Sequence, residues 1–362
     1  EREGRIVAGT FRPGSAGTEW CDVGVLRTIK RRAVASLRKE VEPVDGATYT
    51  RFLLSWHGLI RPRRGLDALR DAVAQLEGYP LPASMLERVI LPARVEDYTP
   101  AMLDALCATG EVAWFGAGRL RAEDGRVVLA ARERLAAFVP PAPELPEEPL
   151  ASRILDLLRE RGALFFTDIV AATGAPLRDV LSVLWDLVWG GFITNDTLAP
   201  LRAWARRGRD GAAPGGRLRS LPPEAAGRWS VLPPALDRTR ALHAWASAVL
   251  ERRGVAAREA VNAEAVRGGF SALYPVFREM EERGRVRRGY FVEGVGGAQF
   301  ALPGTVDRLR AEREPADRLQ SVIVAAVDPA QPYGELLPWP AAGDAAVRGL
   351  ARTAGNFVIL VD

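Results

Sequence analysis

Four arginines and one aromatic ring fall within eight residues at Arg283-Gly-Arg285-Val-Arg287-Arg288-Gly-Tyr290. Guanidinium groups offer paired donors to phosphate oxygens, and a tyrosine ring can stack on a base. Two further stretches carry the same chemistry. Arg27, Lys30, Arg31, Arg32, Arg38 and Lys39 lie on a helix expected over residues 22–41. Spacings of three and four place Arg27, Lys30, Arg31 and Arg38 on one side, as a stripe that can track a phosphate backbone. Arg202, Arg206, Arg207, Arg209, Arg217 and Arg219 surround Trp204 in a basic loop that can clamp a strand. The competing reading of each run is a solvated charged face.

Other chemistry does not assemble. The histidines are His57 and His243 and the cysteines Cys21 and Cys107, with no metal-ligand spacing among them. No metal site is therefore expected, and both histidines read as ordinary, partly buried side chains. Lys30 and Lys39 stand outside any Gly-x-x-x-x-Gly-Lys-Ser/Thr run, so the chain has no Walker phosphate loop and no cofactor of its own is expected. There is no Gly-x-Ser-x-Gly elbow. The run Gly294-Val-Gly296-Gly297 leads into Ala298-Gln299-Phe300, a strand, which makes it a hairpin turn and not a dinucleotide fingerprint. Asp307, Asp317 and Asp328 are isolated carboxylates. No catalytic group is assigned, and an enzymatic role stays open.

The elements that position the arginines recur. Leu158-Arg-Glu-Arg-Gly162-Ala163 resembles Leu250-Glu-Arg-Arg-Gly254-Val255, each a helix end closed by glycine. Gly191 follows Gly162 by 29 residues, Gly284 follows Gly254 by 30, and a looser copy runs 32 residues from Gly78 to Gly110. Each copy reads as helix, glycine, short helix, turn, third helix, glycine, strand. The third helices are expected at 100–109, 177–190 and 270–283, with hairpins Val112–Phe115/Val127–Ala130 and Val286–Val292/Ala298–Leu302 in two copies. Three helices and a β-hairpin make a winged helix, whose third helix enters the DNA major groove while the hairpin, the wing, touches backbone or minor groove. Winged helices serve equally as protein-docking modules.

In the third copy Leu273, Val276, Phe277 and Met280 suit the core, turning Ser271, Tyr274 and Arg278 outward. Arg278 therefore joins Arg285, Arg287, Arg288 and Tyr290 as a candidate contact. In the second copy Val180, Leu184, Leu187 and Val188 suit the core and leave Arg178, Ser182, Trp185 and Trp189 opposite. Two outward tryptophans with one arginine suggest packing between domains more than base stacking.

The expected organisation is α+β: a basic lead-in at 1–57 after a short β or wing segment, a winged helix at 58–138, and a proline-rich linker at 139–149. A second winged helix follows at 150–204, then a Gly/Pro/Arg loop at 205–225 and a third winged helix at 226–302. Residues 303–362 follow, and the run Phe357-Val-Ile-Leu-Val361 stops inside a strand. The opening Glu1-Arg-Glu-Gly4 has no charged-then-apolar pattern, so no targeting segment is expected in the chain, and no apolar run reaches the roughly 18 residues of a membrane span. A cytoplasmic location is expected.

Composition agrees without deciding. The chain has 362 residues, 48% apolar and 26% charged, with net charge +4 and pI near 9.4. Lysine occurs twice, so 47 of the 49 basic residues are arginine. Arginine suits phosphate and base edges, but a GC-rich genome also raises it, so its clusters matter more than its number.

Several patches resemble one family. They are Arg287-Arg-Gly-Tyr-Phe-Val-Glu-Gly-Val-Gly-Gly-Ala-Gln-Phe-Ala-Leu-Pro-Gly304 with Val306-Asp-Arg-Leu309, Arg38-Lys-Glu-Val-Glu-Pro43, and Leu81-Pro-Ala-Ser-Met-Leu-Glu87. Leu184-Trp-Asp-Leu-Val-Trp-Gly190 with Thr194-Asn-Asp-Thr197, and Asp328-Pro-Ala-Gln-Pro-Tyr-Gly-Glu-Leu-Leu-Pro-Trp339, complete the set. Spread over nearly the whole chain, they are similar to the C-terminal region of the large helicase-related (Lhr) proteins. The resemblance implies a bacterial ATP-dependent DNA helicase linked to repair, its motor N-terminal of residue 1 and using ATP and Mg. It also implies a winged-helix array ending in a β-rich, barrel-like module similar to AlkZ-type DNA glycosylases, which residues 303–362 would open. The expected partners are DNA, single-stranded or tailed, the helicase core of the same polypeptide and further copies of the chain, with the protein at the nucleoid and not at a membrane.

Overall fold

The structure is a computed structural model that describes residues 6–9, 11, 17–28, 42–121, 124–141, 147–207, 221–264, 266–314, 321–340 and 351–361. Strands β1 (Ile6–Gly9) and β2 (Glu19–Asp22) form an antiparallel hairpin. It leads into helix α1, described over 23–28. The rest of the expected helix 22–41, with Lys30, Arg31, Arg32, Arg38 and Lys39, lies outside the described residues.

Helix α2 (Gly46–Trp56) starts at Asp45, whose carboxylate caps the Thr48 N–H. Its residues Tyr49, Phe52 and Leu53 share a core with Val249, Leu250, Phe277 and Phe300 of the third copy. The expectation that 1–57 is a separate lead-in is thus corrected, because an amphipathic helix buries its apolar stripe wherever a matching face exists.

The first module comprises α3 (Gly65–Leu76), β3 (Leu81–Pro82), the short α4 (Ala83–Met85) running into a π-helical turn at Leu86–Ile90, and α5 (Pro100–Ala108). Its wing is β4 (Val112–Arg121) and β5 (Asp124–Ala131). The sheet order is β3-β5-β4.

The second module comprises α6 (Pro149–Arg161), β6 (Leu164–Phe165), α7 (Phe166–Thr173), α8 (Leu177–Trp189), β7 (Ile193–Asn195), α9 (Ala199–Arg207) and β8 (Arg228–Val231). Its sheet order is β6-β8-β7. The second wing strand therefore exists and lies beyond Arg207, so the expected boundary at 225/226 is corrected. The insertion hid the pairing, because a hairpin interrupted by a helix has no short turn to mark it.

The third module runs α10 (Arg238–Arg253), β9 (Val255–Ala256), α11 (Arg258–Ala263), α12 (Gly269–Glu282), β10 (Arg287–Gly289) and β11 (Gln299–Ala301). Its sheet order is β10-β11-β9, and both wing strands are shorter than expected. The six glycines that defined the repeat, Gly78, Gly110, Gly162, Gly191, Gly254 and Gly284, all have positive φ, which explains their residue type.

After residue 302 the chain is first helical. Helix α13 (Pro303–Ala311) puts Val306 and Leu309 into the third module's core, so the expected β start at 303 comes too early. Strands β12 (Ser321–Ala325) and β13 (Phe357–Val361) then pair antiparallel, with no closed barrel among the described residues. No described helix is long and apolar enough to cross a membrane.

Candidate nucleic-acid interface

The third wing is held by one buried side chain. Gln299 on β11 is fully buried; its Oε1 accepts from the Phe291 N–H (2.7 Å) and the Val292 N–H (2.9 Å), and its Nε2 donates to the Val292 and Val295 carbonyls (2.8 Å each). All four hydrogen-bonding positions of the amide are used, so the loop is pinned without a long ladder. Upstream, the Val44 N–H donates to the Phe291 carbonyl and the Glu293 N–H to that of Val44, both at 2.8 Å. The wing is rigid at its base.

On this base Arg285, Arg287 and Arg288 are exposed, and none has a hydrogen bond or ion pair among the described residues. Tyr290 is 47% exposed, its hydroxyl oxygen accepting from the Gly294 N–H. The neighbouring helix face is less basic. Arg278 pairs with Glu282 at 3.2 Å and Arg283 with Glu279 at 2.6 Å, and Glu281 adds another carboxylate to that helix. Tyr274, expected outward, is half-buried against Phe270 and Phe300. The basic surface is the wing more than the third helix.

In the second module the tryptophans of α8 face inward. Trp185 and Trp189 are both buried, in a cluster with Trp204 and Trp229 whose centroids lie 4.8 to 5.8 Å apart. Trp189 lies on the first module's wing, where a Cβ on Gly125 would come within 2.4 Å of its ring and one on Gly116 within 2.5 Å of the Val188 carbonyl. Trp204 is therefore no strand clamp. Arg202 is also withdrawn from solvent, pairing with Glu87 at 2.6 Å and Asp104 at 2.7 Å in the first module. Arg206 is exposed on α9 and Arg207 ends that helix. Arg209, Arg217 and Arg219 lie outside the described residues, and Arg27 is exposed on α1.

Sequence reasoning missed a buried ionic seam. Asp328, read as isolated, accepts two 2.8 Å hydrogen bonds from the Arg94 guanidinium. Arg94 also donates to His57 Nδ1 (2.9 Å), and His57 Nε2 lies 2.9 Å from the Arg252 carbonyl. Since the carbonyl needs a donor, His57 is assigned as the neutral Nε2–H tautomer. Burial first, then Arg94, holds its pKa well below the ordinary value. It is buried more deeply than expected, whereas His243 is exposed. Arg252 and Arg253 share Glu264, and Arg253 and Arg352 share Glu335. Burial disfavours the charged forms of Asp328 and Glu264, but Arg94 and the Arg252/Arg253 pair outweigh it and hold both carboxyls below their usual range. The network ties the first module, α2, the third module and the 328–352 segment together. No short motif signals it, because its partners are up to 234 residues apart.

The described residues hold no group of three or more His, Cys, Asp or Glu side chains arranged for a metal ion. Cys107 is buried, which pushes its thiol up to about 12 and leaves it unreactive.

Tandem winged helices, the third with an arginine-bearing wing, place the chain among winged-helix proteins. Residues 44–132 and 235–321 each match the winged-helix domain of the large helicase-related protein. These two stretches resemble winged-helix domains of the C-terminal region of that family. The chain is 41% identical over 99% of its length to "Lhr helicase/ probable uracil glycosylase" of Mycolicibacterium smegmatis. It is 36% identical over 94% to "Lhr helicase/uracil glycosylase" of Escherichia coli. It spans 25% of each relative's length. Among solved structures, Streptomyces sahachiroi DNA glycosylase AlkZ aligns with 78% of this chain and 76% of its own, at TM-score 0.48 and 13% identity.

Proposed function

We propose that this chain is the DNA-binding part of an ATP-dependent helicase acting in DNA repair, and that it holds or orients single-stranded or tailed DNA by phosphate contacts. One observation carries the reading: Arg285, Arg287 and Arg288 stand exposed, with no hydrogen bond or ion pair among the described residues, on a wing that Gln299 fixes. Tyr290 offers a stacking face beside them. Arg27, Lys30, Arg31, Arg38, Arg206, Arg207 and Arg278 are secondary candidates. The motor, with its ATP and Mg, belongs elsewhere in the polypeptide, and this chain works at the nucleoid in the cytoplasm without a cofactor of its own. The test is binding of labelled tailed DNA by the wild type and by R285E/R287E/R288E. Weaker binding is expected, and equal affinity contradicts the assignment.

A second reading, assembly, is favoured by one feature. Ile323, Phe357, Ile359 and Val361 form an apolar face on β12–β13, each more than half exposed. Its occupant in this reading is a second copy of the chain. Light scattering at micromolar concentration tests it, with a strictly monomeric mass as the contrary result.

A further inference from the structure

A cleft of about 1280 Å³ is lined by the first module's wing together with Val327, Gly334, Glu335 and residues 352–355. It exceeds the roughly 300–1,000 Å³ of small-ligand pockets. Its lining includes Arg88 from the π-helical turn, Arg121 from the end of β4 and Arg126 from β5. All three are exposed, and none has a hydrogen bond or ion pair among the described residues. In the sequence they are scattered single charges; the pairing of β4 with β5 and the fold of the turn bring them to one cleft.

The acidic groups of the lining are already engaged. Asp124 accepts from the Ser84 N–H (3.1 Å) and Ser84 Oγ (2.6 Å). Glu264 is held between Arg252 and Arg253, and Glu335 between Arg253 and Arg352. Glu264 and Glu335 are thus neutralised by arginines and Asp124 is hydrogen-bonded but keeps its charge, so Arg88, Arg121 and Arg126 leave the lining positive among the described residues.

The lining also holds an aromatic platform. Trp245 on α10 is half-buried and faces the cleft, its position fixed by an edge-on contact with Phe138 at 5.1 Å between centroids. A groove that pairs unengaged cations with an accessible aromatic face suits the backbone and the bases of a single strand at once. In a duplex the base faces are stacked on one another, so a ring at the side of a cleft meets only an unpaired or extruded base.

We infer that this cleft is a second nucleic-acid site, separate from the third wing, which takes a single strand with its phosphates on Arg88, Arg121 and Arg126 and a base on Trp245. It rests on the reading that the chain binds DNA, and it adds where the unpaired strand lies and which groups select it over duplex.

The experiment titrates a labelled short oligodeoxythymidylate, the same strand built of abasic residues, and a blunt hairpin duplex against five proteins. These are the wild type, R88E/R121E/R126E, R285E/R287E/R288E and W245A, with W245F as a conservative partner. The cleft reversal should weaken the oligodeoxythymidylate at least about tenfold and leave the hairpin duplex within about twofold. W245A should weaken the strand about tenfold, W245F should restore most of it, and the abasic strand should not respond to either. The arginine variants change exposed side chains only, so they decide the matter even if W245A unfolds. Unchanged strand affinity in R88E/R121E/R126E overturns the cleft site while leaving the third-wing reading intact. Loss confined to the cleft reversal overturns the third wing instead, and a wild type that binds no DNA overturns both.

Discussion

The buried seam and the third wing use the same side chain in opposite ways. Arg94, Arg252 and Arg253 are nearly inaccessible, and each donates to carboxylates or carbonyls brought from other modules. Arg285, Arg287 and Arg288 are exposed with no partner among the described residues. A guanidinium removed from water must be paid back by charge and hydrogen bonds inside the protein, whereas one left in water keeps its donors for a phosphate. The arginine excess of the sequence therefore has two meanings, and burial separates them.

The largest effect should come from the seam. Glu264→Gln leaves Arg252 and Arg253 buried without their shared charge, and breaking such a network costs on the order of 3–5 kcal/mol. Chemical denaturation should register that loss, and a variant as stable as the wild type would show that the seam contributes little. Gly125→Ala should come next. Its new methyl group meets the Trp189 ring, so overpacking of about 1–3 kcal/mol is expected at the junction of the first two modules.

Acid should also weaken the seam in a defined order. Because His57 is held neutral in the folded chain, the unfolded chain takes up a proton as pH falls below about 6.5 that the folded chain refuses. Stability should therefore drop first between about pH 7 and 5. Asp328 and Glu264, held below their ordinary range, add a second loss that starts below about pH 4 and completes as pH passes their folded values. A melting series in pH checks the sign, and His57→Gln should flatten the first segment. At the other extreme, R285E/R287E/R288E should alter stability by only about 0.5 kcal/mol or less, as expected for exposed groups without partners.

The contrast also marks what could be read from residues alone. The glycine-bounded repeat was legible because each glycine occupies a backbone conformation that other residues avoid, and the basic wing because its arginines crowd into residues 283–288. The two tryptophans of α8 could be recognised as unsuited to solvent, yet the glycines that receive Trp189 belong to β4 and β5 of the preceding module. The second wing strand was obscured by an intervening helix and loop. The seam and the cleft were not legible, since Arg94 meets Asp328, and Arg121 comes into one cleft with Trp245, only through tertiary packing. A single buried charge looks like a surface charge until its partner is known.

The salt dependence of DNA binding tests the central claim most directly, with wild type and R285E/R287E/R288E titrated against the same tailed strand over a range of ionic strength. Three lost phosphate contacts should lower the magnitude of the log–log slope by about 2 and weaken binding most at low salt. Superimposable slopes and equal affinities would mean that the third wing does not hold the DNA backbone.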